Sequence, residues 1–187
     1  MNPIYLGRWR VDPTVRDGVA PLLPLPVAAL ARAVAGALSA AGAPSPASIG
    51  LILSDDTELA SLNETHLGHD GPTDVLSFPL LPPSAFPPHA GSPRPVSRER
   101  VREAAAFVGP PGRRPHLGDI VVSVERAAEQ AAAGRGGQTG DVQWSAADEL
   151  RLLVTHGTLH ICGWDHADPA EERAMRELEQ RLLSATP

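Results

Sequence analysis

The spacing of hydrophobic positions changes several times along the chain, and each change marks an element. At the start, "IYLGRWRV" (residues 4–11) alternates apolar and polar residues, the period of a half-buried strand. "PVAALARAVAGALSAAG" (26–42) predicts an alanine-rich helix ending at Gly42. "ASIGLILS" (47–54) is an apolar run of strand length, hence a second, largely buried strand. Asp55 starts the next helix, with Glu58 three residues on in a capping-box arrangement, Leu59 and Leu62 on its apolar side and a stop near Gly68. "TDVLSFPL" (73–80) is a third strand, cut off by the prolines after it.

Residues 82–116 hold nine of the twenty prolines and no sustained periodicity, which predicts a long exposed loop. Within it, "SRERVREAAAFVG" suggests a short helix carrying Arg98, Arg100 and Arg102, either a solvated surface segment or an arm that contacts RNA. "HLGDIVVSV" (116–124) is a fourth strand, running into a helix around Glu125 to Ala133, and "GRGGQTGD" is a flexible connection. Ser145 or a neighbour caps a long helix through Glu149, Leu152, Leu153, His156 and His160, stopped by Gly163. Asp168, Pro169 and Glu171 supply an N-cap, a proline at the first helical position and an acid at the third for a last amphipathic helix through Met175, Leu178 and Leu182. The expected fold is α+β (mixed α/β), a single domain over 1–187 with about four strands in a mixed sheet, about five helices and an inserted proline-rich loop at 82–116.

Composition narrows the function classes. At 187 residues the chain is long enough for a real core. No apolar run reaches the length of a membrane span, and the start lacks the apolar stretch of a signal peptide. One cysteine, Cys162, rules out an internal disulfide framework and fits a reducing compartment, so a cytoplasmic location is expected. The net charge of −6 argues against holding nucleic acid by bulk electrostatics, and DNA is not expected as a partner. All sixteen basic residues are arginine, which reads as compositional bias.

Chemistry concentrates in "THGTLHICGWDH" (155–166), which holds three of the seven histidines. On a helix, residues four apart share a face, with Cβ atoms about 5–6 Å apart. His156 and His160 can therefore aim at one ion, and a left-handed Gly163 can turn the chain so that His166 reaches the same point. Three protein ligands leave one coordination position open, which is the catalytic rather than the structural zinc arrangement. One Zn2+ per chain is expected, although another divalent transition metal suits imidazoles too. The spacing matches the zinc signature of metzincin peptidases, but Gly157 stands where those enzymes carry their glutamate base. That absence argues against an ordinary metallopeptidase.

The segment "HGTLHICGWDH" resembles the H-G-x-L-H-L-x-G-Y-D-H signature of the YbeY family of bacterial metal-dependent endoribonucleases. "LNETHLGHDGPTDVLSFP", "LGDIVVSVERAAEQA" and "MRELEQRLL" resemble further blocks of that family in the same order, covering roughly 48–81 and 117–183. The N-terminal third is only loosely alike, and 82–116 is longer than the family's loop. The resemblance implies a metal site at His156, His160 and His166, catalysis through that metal, and single-stranded RNA as substrate. It also implies ribosomal RNA processing, 16S 3′-end maturation, ribosome quality control, and the ribosome or small-subunit proteins as partners. The family places Tyr-Arg where this chain has His66 and Leu67, and a lysine is common at His69. An arginine binds phosphate bidentately and a leucine does not, so His66 is a candidate catalytic residue replacing part of that role.

Other positions stay open between chemistry and structure. Asp165 is either an acceptor that fixes a histidine tautomer or a turn cap, while Asp168 is read as the N-cap of the last helix. Thr73, Asp74, Ser77 and Asp119 either border the cleft or serve the turns and strands they sit in. Cys162 reads as a small buried hydrophobe and Trp164 as packing for the turn, or as a stacking surface for a base. Beside the endoribonuclease reading stand a ribosome-associated assembly factor with a mainly structural zinc, and a metallohydrolase of another substrate.

Overall fold

The computed structural model describes residues 1–92, 114–134 and 145–184. Its first segment departs from the single strand expected over 4–11. Gly7 takes a positive φ of 61°, which glycine adopts without steric cost, and the chain doubles back there. Strand β1 (Ile4–Leu6) thus pairs antiparallel with β2 (Trp9–Val15), Leu6 opposite Trp9. With β3 (Ala47–Ser54), β4 (Val75–Pro79) and β5 (His116–Ser123), this hairpin makes a sheet of five strands in the order β1-β2-β3-β5-β4. The extra strand is the half of the hairpin that alternation alone does not separate.

Strands β2, β3 and β5 run parallel, and β1 and β4 are antiparallel edges. Parallel strands lie under helices on both faces, and β3 is accordingly buried at all positions but one. Among the described residues five helices cover the sheet: α1 (Val27–Ala40), α2 (Asp56–Leu67), α3 (Val124–Ala132), α4 (Ala146–Ile161) and α5 (Pro169–Ser184). The two-residue period of the strands sorts side chains between two faces. Ile49, Leu51, Leu53, Ile120, Val122 and Val75 join the main core with residues of α1, α4 and α5. Ile52, Val121, Leu76 and Phe78 point the other way, against Leu59 and Leu62 of α2.

Helix ends follow the local chemistry closely. Asp55 accepts a hydrogen bond from the Glu58 amide, and Gly68 ends α2 in the left-handed conformation. The capping box expected there is only half made, because the Glu58 carboxylate is taken by Arg16 at 2.6 and 2.8 Å and by the Ser54 hydroxyl. Ser145 and Asp148 form a complete box at the start of α4. Asp168 accepts from the amides of Ala170 and Glu171 at the start of α5.

The described part of the proline-rich loop, 82–92 and 114–116, is not exposed throughout. Pro83–Ala85 form a 3-10 turn, Phe86 is buried in the main core, and β5 already starts at His116. Apolar residues inside the loop explain the difference: prolines break periodicity without preventing burial. The candidate helix over 97–109 and most of the connection over 134–141 lie outside the described residues. No helix among the described residues is long and apolar enough to cross a membrane.

Helix α4 packs tightly on the sheet at Gly157. A Cβ there would meet Val75 Cγ2 at 2.8 Å, Ile120 Cγ2 at 3.1 Å and Ser77 Oγ at 3.2 Å. Ser77 Oγ donates to the Gly157 carbonyl at 3.0 Å, fixing the approach. Replacing Gly157 by alanine sets about 1 kcal/mol of helix propensity against about 1–3 kcal/mol of overpacking. Gly157→Ala is therefore expected to lower the urea midpoint of the metal-free chain, by about 1 kcal/mol in stability. A raised midpoint would show that propensity outweighs the contact.

Candidate metal centre

His156 and His160 lie on one face near the end of α4, with ring centroids 4.5 Å apart. The helix stops in a Schellman turn. Gly163, with φ 82°, donates to the His160 carbonyl at 3.0 Å, and Trp164 donates to the Leu159 carbonyl at 3.1 Å. That reversal brings His166 back, its ring 5.9 Å from His156 and 5.2 Å from His160. One nitrogen from each imidazole lies within 4.8 Å of the others. The three histidines singled out in the sequence are thus brought together, with His156 and His160 half-buried and His166 exposed.

Hydrogen bonds decide which nitrogens face inward. A carbonyl only accepts, so His160 Nδ1, 2.8 Å from the Trp164 carbonyl, carries its proton. His156 Nδ1 donates to the buried Glu179 carboxylate at 2.7 Å. In neutral rings this leaves both Nε2 atoms with lone pairs, and these stand 2.9 Å apart. Two lone pairs at that distance repel unless a positive charge lies between or beside them. A proton or a metal ion meets the need. Burial, and after it the charge of His156, lowers the His160 pKa from 6.5 to about 4, so a proton is held poorly at neutral pH. A tetrahedral ion at 2.0–2.1 Å from each nitrogen separates them by roughly 3.3 Å. The 2.9 Å between the two helical nitrogens lies close to that value, with the His166 nitrogen within 4.8 Å of both. The residues fit a divalent transition metal with a nitrogen donor set and one side open to solvent.

Two partners were not singled out from the sequence. Glu179 and the Trp164 carbonyl orient the two helical ligands, the role such outer acceptors have at metal sites. A signal for Glu179 existed: it shares the apolar stripe of α5 with Met175, Leu178 and Leu182, and a buried acid needs a partner. Asp165 does not take that role. Its carboxylate accepts from the His166 amide at 2.7 Å, as a turn cap. Glu171 accepts from the Asp165 amide at 2.8 Å and pairs with His89 at 2.6 Å. Trp164 packs the turn, stacked on His89 with ring centroids 3.9 Å apart.

The remaining candidates have these surroundings in the fold. Asp74 accepts from the Val75 amide at 2.8 Å and from Gln130 at 3.0 Å, with Thr73 beside it. Asp119 pairs with His116 at 3.0 Å. Cys162 is buried and its thiol is pushed up to about 12, which leaves it a hydrophobe rather than a thiolate ligand. His66 is exposed, edge-on to Phe78 at 5.1 Å. Phe78 points to the α2 face of β4, whereas Val75 and Ser77 face α4 and Gly157, so His66 stands apart from the three histidines.

Known proteins share this architecture. The family model described as endoribonuclease YbeY matches residues 26–186, reaching back to α1, beyond the motif blocks of the middle and end. The endoribonuclease YbeY of Salinispora tropica is 41% identical over 150 residues, 80% of each chain. That of a Roseiflexus species is 36% identical over 141 residues, 75% of this chain and 71% of its own. The solution structure of a Thermotoga maritima protein matches with a TM-score of 0.52 over 93% of this chain and 87% of its own, at 19% identity, a likeness of fold alone.

Two outcomes follow from the geometry. Glu179→Gln is expected to weaken metal binding about 10–100-fold in a competition titration against a chelator, while His160→Ala abolishes it. Undiminished affinity in Glu179→Gln would remove that carboxylate from the site. The second outcome concerns pH. His160 has a lower pKa folded than unfolded, so its contribution to stability is complete above about 6.5 and is lost as pH falls toward about 4. Urea midpoints of the metal-free chain should therefore drop across that window more steeply than those of His160→Gln. Parallel curves for the two chains would contradict the assignment.

Proposed function

The chain belongs to the YbeY endoribonuclease family, and from that premise we propose that it is a single-strand-specific, zinc-dependent endoribonuclease. Its work is ribosomal RNA processing, at the 3′ end of 16S RNA, and ribosome quality control in the cytoplasm, alongside small-subunit proteins. The observation that carries the reading is the convergence of two inward lone pairs at 2.9 Å beside an exposed third imidazole. His156, His160 and His166 hold the ion, and the exposed edge at His166 leaves room for a phosphodiester. When bound, the ion supplies positive charge that polarises a phosphate oxygen and acidifies water.

The chain's own groups set the rest. Glu179 and the Trp164 carbonyl keep His156 and His160 in the tautomer that binds metal. Gly157 leaves no carboxylate base next to His156, which favours a substrate with an electrophilic phosphorus and a neighbouring ribose hydroxyl over a peptide. His66, on the outer side of edge strand β4, is a donor for RNA that reaches the centre around that edge.

The test pairs metal with cleavage. Purified chain should contain about one zinc and cut single-stranded RNA while leaving duplex RNA and casein intact. His156→Ala should lose at least about 100-fold in rate, and His66→Ala should raise KM for RNA. RNA cutting that persists in the metal-free variant would refute the reading. A metal-bearing chain that cuts no RNA would favour the assembly-factor role, and cleavage of casein another metallohydrolase.

A further inference from the structure

A cavity of about 250 Å³ adjoins the histidine cluster, lined by His156, His166, Glu172, Met175, Arg176 and Glu179. A space of that size is many times what one water needs and admits a hydrated phosphodiester group. Four of its residues, at 172, 175, 176 and 179, recur every three or four positions and so form one face of α5. The face that presses Glu179 onto His156 therefore also presents Arg176 to the same space.

Each acidic group in this cavity already has a partner. Glu179 is bound to His156 at 2.7 Å, and Glu172 accepts from Arg176 at 2.5 Å. Arg176 is the one guanidinium lining the cavity among the described residues. Its pairing with Glu172 is an exposed contact one helical turn long, with the side chains 49% and 38% accessible. Such pairs are weak and readily exchanged. A phosphodiester offers the same fork-matching oxygens and the same single negative charge as the carboxylate.

Building on the ribonuclease reading, we infer that Arg176 is a phosphate-binding residue of the RNA site and that Glu172 is its competitor. In the free chain Glu172 occupies the guanidinium; a phosphodiester entering beside His156 and His166 displaces it. Arg176 then supplies the fork-shaped donor that Leu67 cannot provide on α2. No covalent step is involved, only exchange of one anion for another.

The experiment measures binding of a non-cleavable 2′-O-methyl single-stranded oligonucleotide by fluorescence anisotropy at several salt concentrations. The zinc-loaded parent, Arg176→Gln, Arg176→Lys, Glu172→Gln and the Glu172→Gln/Arg176→Gln pair are compared, with zinc content and circular dichroism verified for each. Arg176→Gln should weaken binding roughly 10-fold and reduce the salt slope by about 0.7, the value for one phosphate contact on a single strand. Arg176→Lys should fall between, because lysine keeps the charge and loses the fork. Glu172→Gln should tighten binding several-fold, and that gain should vanish in the double variant.

An unchanged affinity and slope in Arg176→Gln would overturn the inference. So would a Glu172→Gln gain that persists without Arg176, which would mean a general effect of surface charge. Normal binding by the parent without cleavage of the corresponding 2′-hydroxyl RNA would sink the ribonuclease reading alone, and the Arg176 result would still decide the phosphate site. A parent that binds no single strand would defeat both.

Discussion

Two imidazole lone pairs aimed at one point are the constraint around which this end of the molecule is built. His156 and His160 are each tied through Nδ1, to Glu179 and to the Trp164 carbonyl, so neither ring relieves the 2.9 Å contact between Nε2 atoms by changing tautomer. Water screens such repulsion poorly at a half-buried position. Only positive charge resolves it, and the lowered pKa of His160 makes a proton a poor resident near neutrality. The same charge balance accounts for Glu179. A carboxylate only 3% accessible is costly to bury, and an imidazole made more positive by a bound cation is the partner that offsets it. The three imidazoles and the outer acceptor form one electrostatic unit, assembled so that it could receive a cation.

Gly157 connects that unit to the fold. It stands next to the first ligand, on the side of α4 that meets Val75, Ile120 and Ser77. A side chain there would push the helix off the sheet and carry His156 with it. Close packing of helix on sheet and a carboxylate base next to His156 are therefore alternatives, and this chain has the packing. The chemistry shifts with that choice. A site without a carboxylate next to His156 relies on charge held in place and on a substrate carrying much of its own reactivity, as a ribonucleotide does.

Legibility in the sequence followed the range of the interaction. Strand β3, the caps at Asp55, Ser145 and Asp168, and the metal cluster depend on residues a few positions apart, and spacing alone exposes them. Glu179 lies 23 positions from His156, so its role emerges only when α5 folds back over α4. The hairpin at Gly7 was hidden because strand alternation reads the same through a tight turn. His66 shows what a family position leaves open: it names the residue, whereas only the pleat of β4, which turns Phe78 toward α2, shows on which side of the sheet that residue stands.

The turn that carries His166 shows why the start of the proline-rich loop belongs to the site rather than to the surface. His166 is not on a helix, and its backbone is held by Asp165 at 2.7 Å. The Asp165 amide is held in turn by Glu171, whose carboxylate also takes His89 from the loop at 2.6 Å. His89 lies flat on Trp164, the residue whose carbonyl orients His160. Pro83 packs against Gly163 so closely that a Cβ there would come within 3.0 Å. Residues 83–92 therefore brace the helix stop, the orienting carbonyl and the third ligand from outside, using apolar contact and one buried ion-pair geometry. A turn of polar residues alone would leave His166 free to swing. The brace supplies the rigidity that an exposed ligand needs if three imidazoles are to meet at one point.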